Sequence, residues 1–403
     1  MFIRKSRIMT ILVSVVVFTF FGSGTSCSGR NEGKTADGKT VVKTADMPAD
    51  MPADRPADVA GMKVEVPAVT GDAKLEEPAG EGGKAGLFAI IQDGKYGYMD
   101  RTGKVIIQPA WEAGTKYSVA YPRIPILFSD GLGQFVENEK VGLVDATGKV
   151  VVAARFGALN EFSEGIAVFI NDDDFGFVDS TGKVLSTIKY ADADRFSDGL
   201  AAVKEKGRKY GYIDKDLKYV IKPQFEKARS FSEGLAAIAR GGKWGFIDRE
   251  ARVVIKTQYD LVMNFSDGLA VVRMGSEEEG KYGFIDKTGK VVIEIRHMAA
   301  ESFSEGLAVV SIDGKTRYLD RTGKVIIEKA FGVANSFTEG LACVSENQIF
   351  GFIDKSGNWV VKPQFTDCLP FKNGLARVMV GDYKTGKWGY IDKTGKFIWQ
   401  PSR

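Results

Sequence analysis

Histidine is nearly absent from this chain, and cysteine is scarce. The 403 residues include one histidine and three cysteines. A lone histidine cannot complete a zinc site, and it gives a Ser-His-Asp arrangement one candidate base without a partner motif. Cys27, Cys343 and Cys368 are too scattered for the paired spacing of a metal-binding motif. We therefore predict neither a metal ion nor another cofactor.

A strong excess of either charge is also missing. Lys and Arg number 55 against 52 Asp and Glu, a formal net charge of +3. Nucleic-acid binding requires a concentrated basic surface, so we expect no nucleic-acid partner. The chain is 44% hydrophobic and 27% charged, which is enough for most of it to bury a core.

The N-terminal apolar run, residues 8–21, is shorter than the roughly 20 residues that cross a bilayer. Basic residues precede it, and small residues lead from it to Cys27. The segment resembles a bacterial lipoprotein signal, although Gly24 stands where that signal usually has leucine. We predict a signal peptide over residues 1–27, lipidation of Cys27, and export to the cell envelope. The lipid would anchor the protein to a membrane, facing the periplasm or the cell surface. Ordinary cleavage near the same point and a retained anchor stay open.

Residues 28–85 have a different composition, with a reiterated Pro-Ala-Asp motif and no apolar periodicity. Such a segment cannot bury enough surface to offset the entropy of ordering. We predict a disordered tether.

From residue 86 to residue 403 the chain is one unit written nine times. Each copy carries a sequence such as "GKWGFID", with a glycine in a fixed slot. The slot is occupied by Gly97, Gly142, Gly176, Gly211, Gly245, Gly283, Arg317, Gly351 and Gly389. A spacing near 34 residues is the signature of a repeat array.

Each unit predicts three short antiparallel strands. In the copy that begins at Gly234, "GLAAIA", "KWGFID" and "RVVIK" alternate in the manner of strands and are separated by turn residues. The second turn usually reads "DxTGK". Because Leu217 and Ala251 replace its glycine, that position does not strictly demand a left-handed glycine.

Aromatic residues recur once per unit in three ladders, which we interpret as core packing between units. The first ladder is Phe128, Phe162, Phe196, Phe231, Phe265, Phe303, Phe337 and Phe371. The second is Tyr96, Val141, Phe175, Tyr210, Trp244, Tyr282, Phe350 and Trp388. The third is Phe156, Tyr190, Phe225, Tyr259, Phe331 and Phe365. The glycine beside the second ladder indicates a close approach to the backbone.

The recurring "FSEGLA", "GKWGFID" and "KVVIKPQF" segments, always in this order, resemble the bacterial WG (KWG) repeat family. The resemblance implies an exported or surface-associated β-repeat protein and says little about its biochemistry. We expect an all-β fold of tandem three-stranded meanders. We favour an open solenoid or superhelical stack, because three strands fall short of a propeller blade and nine units exceed the usual number. A propeller-like ring is the alternative.

Two acidic series recur with the repeat. The aspartates that open the second turn are Asp100, Asp145, Asp179, Asp214, Asp248, Asp286, Asp320, Asp354 and Asp392. We interpret them as turn caps rather than as a row of calcium ligands. The acids before "GLA" are Asp130, Glu164, Asp198, Glu233, Asp267, Glu305 and Glu339, which predict a solvated face rather than a cation channel. Cys343 and Cys368 occupy different positions of the unit, so we expect small core residues and not a disulfide.

The regularity fails in two neighbouring units. His297 replaces an aromatic of the third ladder, Arg296 departs from the usual Gln or Lys, and Arg317 replaces the slot glycine. Together they predict a polar notch with donors for an anionic ligand, against the alternative of drift in a tolerant repeat. The insert at residues 112–127, with its aromatic residues, is a rival site.

Two classes of function follow. A non-catalytic, membrane-tethered scaffold would bind an envelope protein or polymer through its repeated surface. A glycan-binding protein or glycan hydrolase is the alternative. A hydrolase needs two carboxylates at one non-repeated site, whereas most acids here are reiterated turn residues, so we favour the scaffold and predict no enzyme.

Overall fold

The computed structural model describes residues 86–112, 128–186, 188–383 and 385–402. All described residues belong to one domain. The predicted signal peptide, Cys27, the tether over residues 28–85 and all but the first residue of the insert lie outside the described residues. Within the described ranges, no helix has the length and apolar character needed to span a membrane.

The described residues form β-strands joined by tight turns. The first hairpin of the fifth unit shows why: Gly241 and Gly242 have φ of 58° and 74°. Two consecutive left-handed residues make the two-residue turn whose twist matches that of paired strands. The alternating apolar residues on either side then pair in register, Ala236 with Ile247 and Arg240 with Lys243.

Among the described residues, the nine units contain 32 strands. Units 1 to 3 contain β1 (Phe88–Gln92), β2 (Lys95–Met99), β3 (Val105–Glu112), β4 (Leu132–Glu137), β5 (Lys140–Asp145), β6 (Val150–Phe156), β7 (Ala158–Leu159), β8 (Ile166–Asn171) and β9 (Asp174–Asp179). Units 4 to 6 contain β10 (Tyr190–Ala193), β11 (Ala201–Glu205), β12 (Tyr210–Ile213), β13 (Tyr219–Phe225), β14 (Lys227–Ser232), β15 (Leu235–Arg240), β16 (Lys243–Ile247), β17 (Val253–Tyr259), β18 (Leu261–Val262), β19 (Leu269–Met274), β20 (Lys281–Asp286) and β21 (Val291–His297). Units 7 to 9 contain β22 (Ala299–Ala300), β23 (Leu307–Ile312), β24 (Lys315–Asp320), β25 (Val325–Phe331), β26 (Ala342–Glu346), β27 (Ile349–Ile353), β28 (Trp359–Phe365), β29 (Asp367–Cys368), β30 (Ala376–Val380), β31 (Lys387–Ile391) and β32 (Phe397–Ser402).

The all-β meander is confirmed, with a fourth, short strand added to most units. In unit 6 the sheet order is β18-β19-β20-β21, so the short strand lies at one edge and the third strand of the meander at the other. The short strands are only two to six residues long. Unit 8 retains a single bridge there, between Ala334 and Val344.

Unit 3 is the exception to this plan. Its third segment forms one isolated bridge, between Val178 and Val184, instead of a strand. β10 begins at Tyr190, the third-ladder residue of unit 3, which pairs with Phe175 of β9, and it continues as the short strand of unit 4, which pairs with β11. Units 3 and 4 therefore share one seven-stranded sheet.

The slot glycine has the predicted close approach. A Cβ on Gly245 would lie 2.4 Å from the carbonyl oxygen of Ile255, on the bulged third strand. Real side chains do not tolerate that distance, so the bulge selects glycine. At the second turn, Leu217 and Ala251 have φ of 61° and 62°, so the position is left-handed but other residues than glycine occupy it.

The core lies between successive units. Every residue of the first and third ladders is buried, as predicted. The first ladder packs against an aromatic that follows the slot glycine of the preceding unit, with ring centroids 4.8 to 5.6 Å apart in seven pairs. The second ladder differs from the prediction: only Tyr96 and Phe350 are buried, and cations stack on other rungs, as Arg377 does on Trp388 at 4.6 Å.

Cys343 and Cys368 form a disulfide, contrary to expectation, with their Cα atoms 6.3 Å apart. The two positions do differ within the unit. However, Cys343 lies on β26 of unit 8 and Cys368 on β29, the short strand of unit 9, and the core packs these two positions together across the boundary. The bond joins adjacent units covalently.

Unit 9 packs against unit 1. The Tyr390 hydroxyl donates to the Ala89 carbonyl at 2.8 Å, and the Tyr390 ring meets Phe88 edge-on at 5.6 Å. The hydroxyl at the same position also joins other successive units. Tyr98 donates to the Gln134 carbonyl, the counterpart of Ala89, at 2.5 Å. Tyr212 donates to the Arg229 carbonyl of the short strand at 2.9 Å. Of the two arrangements left open, these contacts correspond to the closed, propeller-like one. No strand of unit 1 pairs with a strand of unit 9 among the described residues.

Candidate interaction surface

The turn aspartates cap their own turns. The Thr102 hydroxyl and the backbone N–H groups of Thr102 and Lys104 donate to one carboxylate oxygen of Asp100, at 2.6, 2.8 and 3.1 Å. These hydrogen bonds, above all that of the hydroxyl, hold the pKa of Asp100 below its usual range. The pattern recurs at the turns of Asp286, Asp320 and Asp392. Turn capping therefore accounts for this series.

The second acidic series joins neighbouring units. Glu164 and Gly165 form a turn with φ of 56° and 84°, and the Glu164 carboxylate accepts the N–H of Gly199 in the next unit at 3.2 Å. Lys215, also of the next unit, forms an ion pair with Glu164 at 3.1 Å. Partial burial acts to raise the pKa of Glu164, but these donors outweigh it and the pKa is lowered. The equivalent glycine contact is made by Asp198, Glu233, Asp267, Glu305 and Glu339. These acids therefore bind the backbone of the next unit, and they do not form the merely solvated face that we predicted.

A row of exposed aliphatic side chains runs along the third strands, at the opposite edge of the sheets from the short strands. One position of the third strand, immediately before a buried one, carries a β-branched residue that is 37 to 50% exposed in six units. We name it the outer-strand row: Val151, Val220, Val254, Val292, Ile326 and Val360.

The strands that carry this row are edge strands, and such strands present unpaired backbone groups to solvent. Lysine or glutamate follows two residues later on the same face in units 4 to 8, as Lys256 follows Val254 and Glu294 follows Val292. Charges and bulges of this kind limit indiscriminate strand pairing. The surface combines a repeated apolar contact with protection against self-association, which suits selective binding. The sequence shows the aliphatic run "VVI" in these strands but not which of its residues packs inward.

The predicted notch residues lie in different surroundings. His297 is 5% exposed at the end of β21, paired with Tyr282, and burial followed by the charge of Arg296 lowers its pKa. Arg296 lies on the opposite, exposed face of the same strand and pairs with Glu294 at 3.2 Å. Arg317 is half-buried on β24 of unit 7 opposite Val310. Its Nε atom and the Nε2 atom of His297 are buried and have no hydrogen-bond partner among the described residues. The structure therefore separates Arg296 from His297. Their role as ligand contacts, with Arg317, stays a prediction.

Metal ligands do not gather in the part of the chain that the structure describes: no three His, Cys, Asp or Glu side chains there are placed to hold an ion.

These features define a closed array of β-sheet units, most of them built around a glycine that meets a bulged neighbouring strand. The family model for the WG containing repeat matches eight segments, residues 96–115, 142–173, 175–208, 210–244, 244–277, 282–315, 317–348 and 350–383. The chain belongs to the WG-repeat family, as its sequence motifs predicted.

Solved structures with detectable similarity share little sequence. BamB from Moraxella catarrhalis is 12% identical, with a TM-score of 0.39, over 65% of this chain and 94% of that chain. A KlHsv2 chain with loop 6CD replaced by a Gly-Ser linker is 12% identical, with a TM-score of 0.38, over 57% of this chain and 90% of that one. Similarities this low support no inference about what this chain binds. A comparison with curated proteins finds no match.

Proposed function

We propose that this protein is a non-catalytic binding scaffold of the bacterial cell envelope, tethered to a membrane through Cys27, whose outer-strand row holds a protein partner. The observation that carries the proposal is the repetition of one exposed aliphatic position on six third strands. An isolated exposed aliphatic residue is ordinary, but a row repeated with the fold is a candidate interaction site.

The chemistry of the row favours a protein over an envelope polymer. Val254 and Val292 offer apolar, β-branched surface beside edge-strand backbone groups, which an extended polypeptide can match with its own side chains and amides. The two series of acidic side chains that could have served catalysis have structural roles, since Asp100 caps its turn and Glu164 links two units. Binding along several units would add weak contacts into a stable complex.

The test uses the full chain as bait for proteins and polymers of the bacterial envelope. One variant carries Val254→Thr and Val292→Thr, which keep the β-branched shape and remove apolar surface from the row. The matched control carries Val253→Thr and Val291→Thr, at the neighbouring positions of the same strands, which are 45% and 42% exposed and do not belong to the row.

We expect a partner captured by the wild type to be retained by the control and lost by the row variant. Equal capture by both variants would contradict the outer-strand row as the binding surface. Capture that survives protease treatment of the envelope material would instead identify a polymer or glycan as the partner.

A further inference from the structure

Unit 4 concentrates positive charge in a chain that is otherwise nearly neutral. Between Lys204 and Arg229 there are nine Lys and Arg residues and four Asp and Glu residues. The structure gathers part of this charge around one open cleft of about 530 Å³. Its lining residues are Arg208, Lys209, Tyr219, Lys222 and Pro223.

The cleft arises from departures of unit 4 from the repeat. Arg208 lies in the first hairpin turn, where unit 5 has Gly242, and Tyr219 begins the third strand, where unit 5 has Val253. Tyr219 packs against the core shared by units 3 and 4, so its ring forms a fixed wall. Unit 3 lacks a formed third strand beside this core, which is a further local irregularity.

One carboxylate holds the arginine in place. Glu205 accepts a hydrogen bond from the Tyr219 hydroxyl at 2.8 Å and forms an ion pair with the Nε atom of Arg208 at 3.3 Å. Burial and the contact with Glu205 raise the pKa of Tyr219, so the hydroxyl keeps its proton and remains a donor. The ion pair leaves the two Nη groups of Arg208 without a hydrogen-bond partner among the described residues.

Neither of the two lysines forms an ion pair with a described residue. In unit 5 the residue equivalent to Lys209 is Lys243, which pairs with Asp260 at 2.6 Å. Lys209 has no ion pair within the described part of the chain. Glu226, which is equivalent to Asp260, accepts the N–H groups of Gly241 and Gly242, and these donors, followed by the charge of Lys209, lower the pKa of Glu226. Lys222 likewise has no ion pair to a described residue. The cleft therefore holds a guanidinium and two ammonium groups with unused donors.

We propose that this cleft binds a phosphate group, presented either by a small soluble phosphate ester or by the headgroup of a phospholipid. A guanidinium fixed by its Nε contact keeps two planar donors for phosphate oxygens, and lysines add charge without a directional requirement. The volume exceeds that of phosphate alone, so it leaves room for the group that the phosphate is attached to. The proposal stands on the cleft and does not depend on the outer-strand row.

The experiment compares two double variants of the full chain that lose equal charge between residues 204 and 229. Lys209→Gln with Lys222→Gln empties the cleft of ammonium groups. Lys218→Gln with Lys227→Gln is the control, because both lysines are exposed and neither lines the cleft. The probes are inorganic phosphate, followed by calorimetry, and phosphatidylcholine vesicles with and without phosphatidylglycerol, followed by sedimentation. Every form carries Cys27→Ser, so that a lipid on the protein cannot bind the vesicles.

We expect the cleft variant to weaken binding roughly tenfold or more, as the loss of charge-assisted hydrogen bonds predicts, and the control to weaken it much less. Binding of inorganic phosphate alone would identify a soluble ester as the ligand. Cleft-dependent binding to phosphatidylglycerol vesicles would identify the headgroup. Equal weakening in both double variants, or no binding of either probe by the parent chain, would overturn the proposal. The urea midpoints of the two double variants must agree with that of the parent. If they do not, Arg208→Gly, which places the unit 5 residue in the turn, provides a second test.

Discussion

Replacing Tyr390 by phenylalanine tests whether units 1 and 9 close the array in solution. The substitution keeps the ring that packs on Phe88 and removes the hydroxyl that donates to the Ala89 carbonyl at 2.8 Å. Burial raises the pKa of Tyr390, so the hydroxyl remains a donor throughout the neutral range. Losing this hydrogen bond and leaving a buried carbonyl unpaired should lower the free energy of unfolding by about 1 to 2 kcal/mol.

The matched control is Tyr212→Phe, which removes the equivalent hydroxyl between units 4 and 5, at 2.9 Å from the Arg229 carbonyl. Urea unfolding followed by tryptophan fluorescence measures both variants against the parent chain. A closed array predicts similar losses, and a loss of about 1 kcal/mol should lower the melting temperature by about 2 °C in a domain of this size. If Tyr212→Phe destabilises the protein while Tyr390→Phe leaves it unchanged, units 1 and 9 do not pack in solution and the closure is refuted.

Four further predictions concern the closure of the array, His297, Arg317 and Cys27. Deleting residues 199–233, one whole unit, should destabilise the remaining units, because eight units cannot keep the contact of Phe88 with Tyr390; unchanged hydrogen exchange in the rest of the array would indicate an open stack. The folded-state pKa of His297 lies below its unfolded value, so the stabilisation it contributes is present above about pH 6.5 and is lost as the pH falls. His297→Phe should therefore remove part of the fall in the urea midpoint between about pH 6.5 and 5. An unchanged dependence of the midpoint on pH would show that the imidazole is solvated. If Arg317 reflects drift, Arg317→Gly should leave stability equal or greater and partner capture unchanged, because the Nε atom of Arg317 is buried without a partner; reduced capture with an intact fold would favour the notch. Cys27→Ser should release the protein from membranes or leave it misprocessed; equal partitioning of both forms would contradict lipidation.

Much of the fold could be predicted from the repeat pattern, because the same types of residue recur at the same positions of each unit. The alternation around Gly245 predicted the second strand, and the glycine itself predicted the close approach of the third-strand carbonyl. The short fourth strand was missed because a segment such as Leu261–Val262 is too brief to show alternation. Left-handed backbone at Ala251 was missed because the sequence does not show that a turn can impose strain on an ordinary residue.

Contacts between units were harder to predict than contacts within them. The disulfide of Cys343 with Cys368 joins two unlike positions of the unit, which a comparison of like positions cannot reveal. The closure involves residues that are not repeated: Asn373 stands where other units have an acid, and it lies against Gly86. The outer-strand row and the unit 4 cleft depend on which face of a strand meets solvent, and only the packing of the neighbouring unit decides that.

Closing the array without a shared strand has a consequence for how the protein is made. Unit 1 is synthesised first and unit 9 last. Phe88 therefore cannot contact Tyr390 until every intervening unit has been translated. Until then the chain is a linear series that can fold unit by unit against its predecessor. The final step needs no rearrangement of a backbone ladder, only the docking of two finished faces. For the same reason a gene duplication that adds a tenth unit would not simply lengthen the molecule, since every angle between neighbours would have to change before the ends could meet.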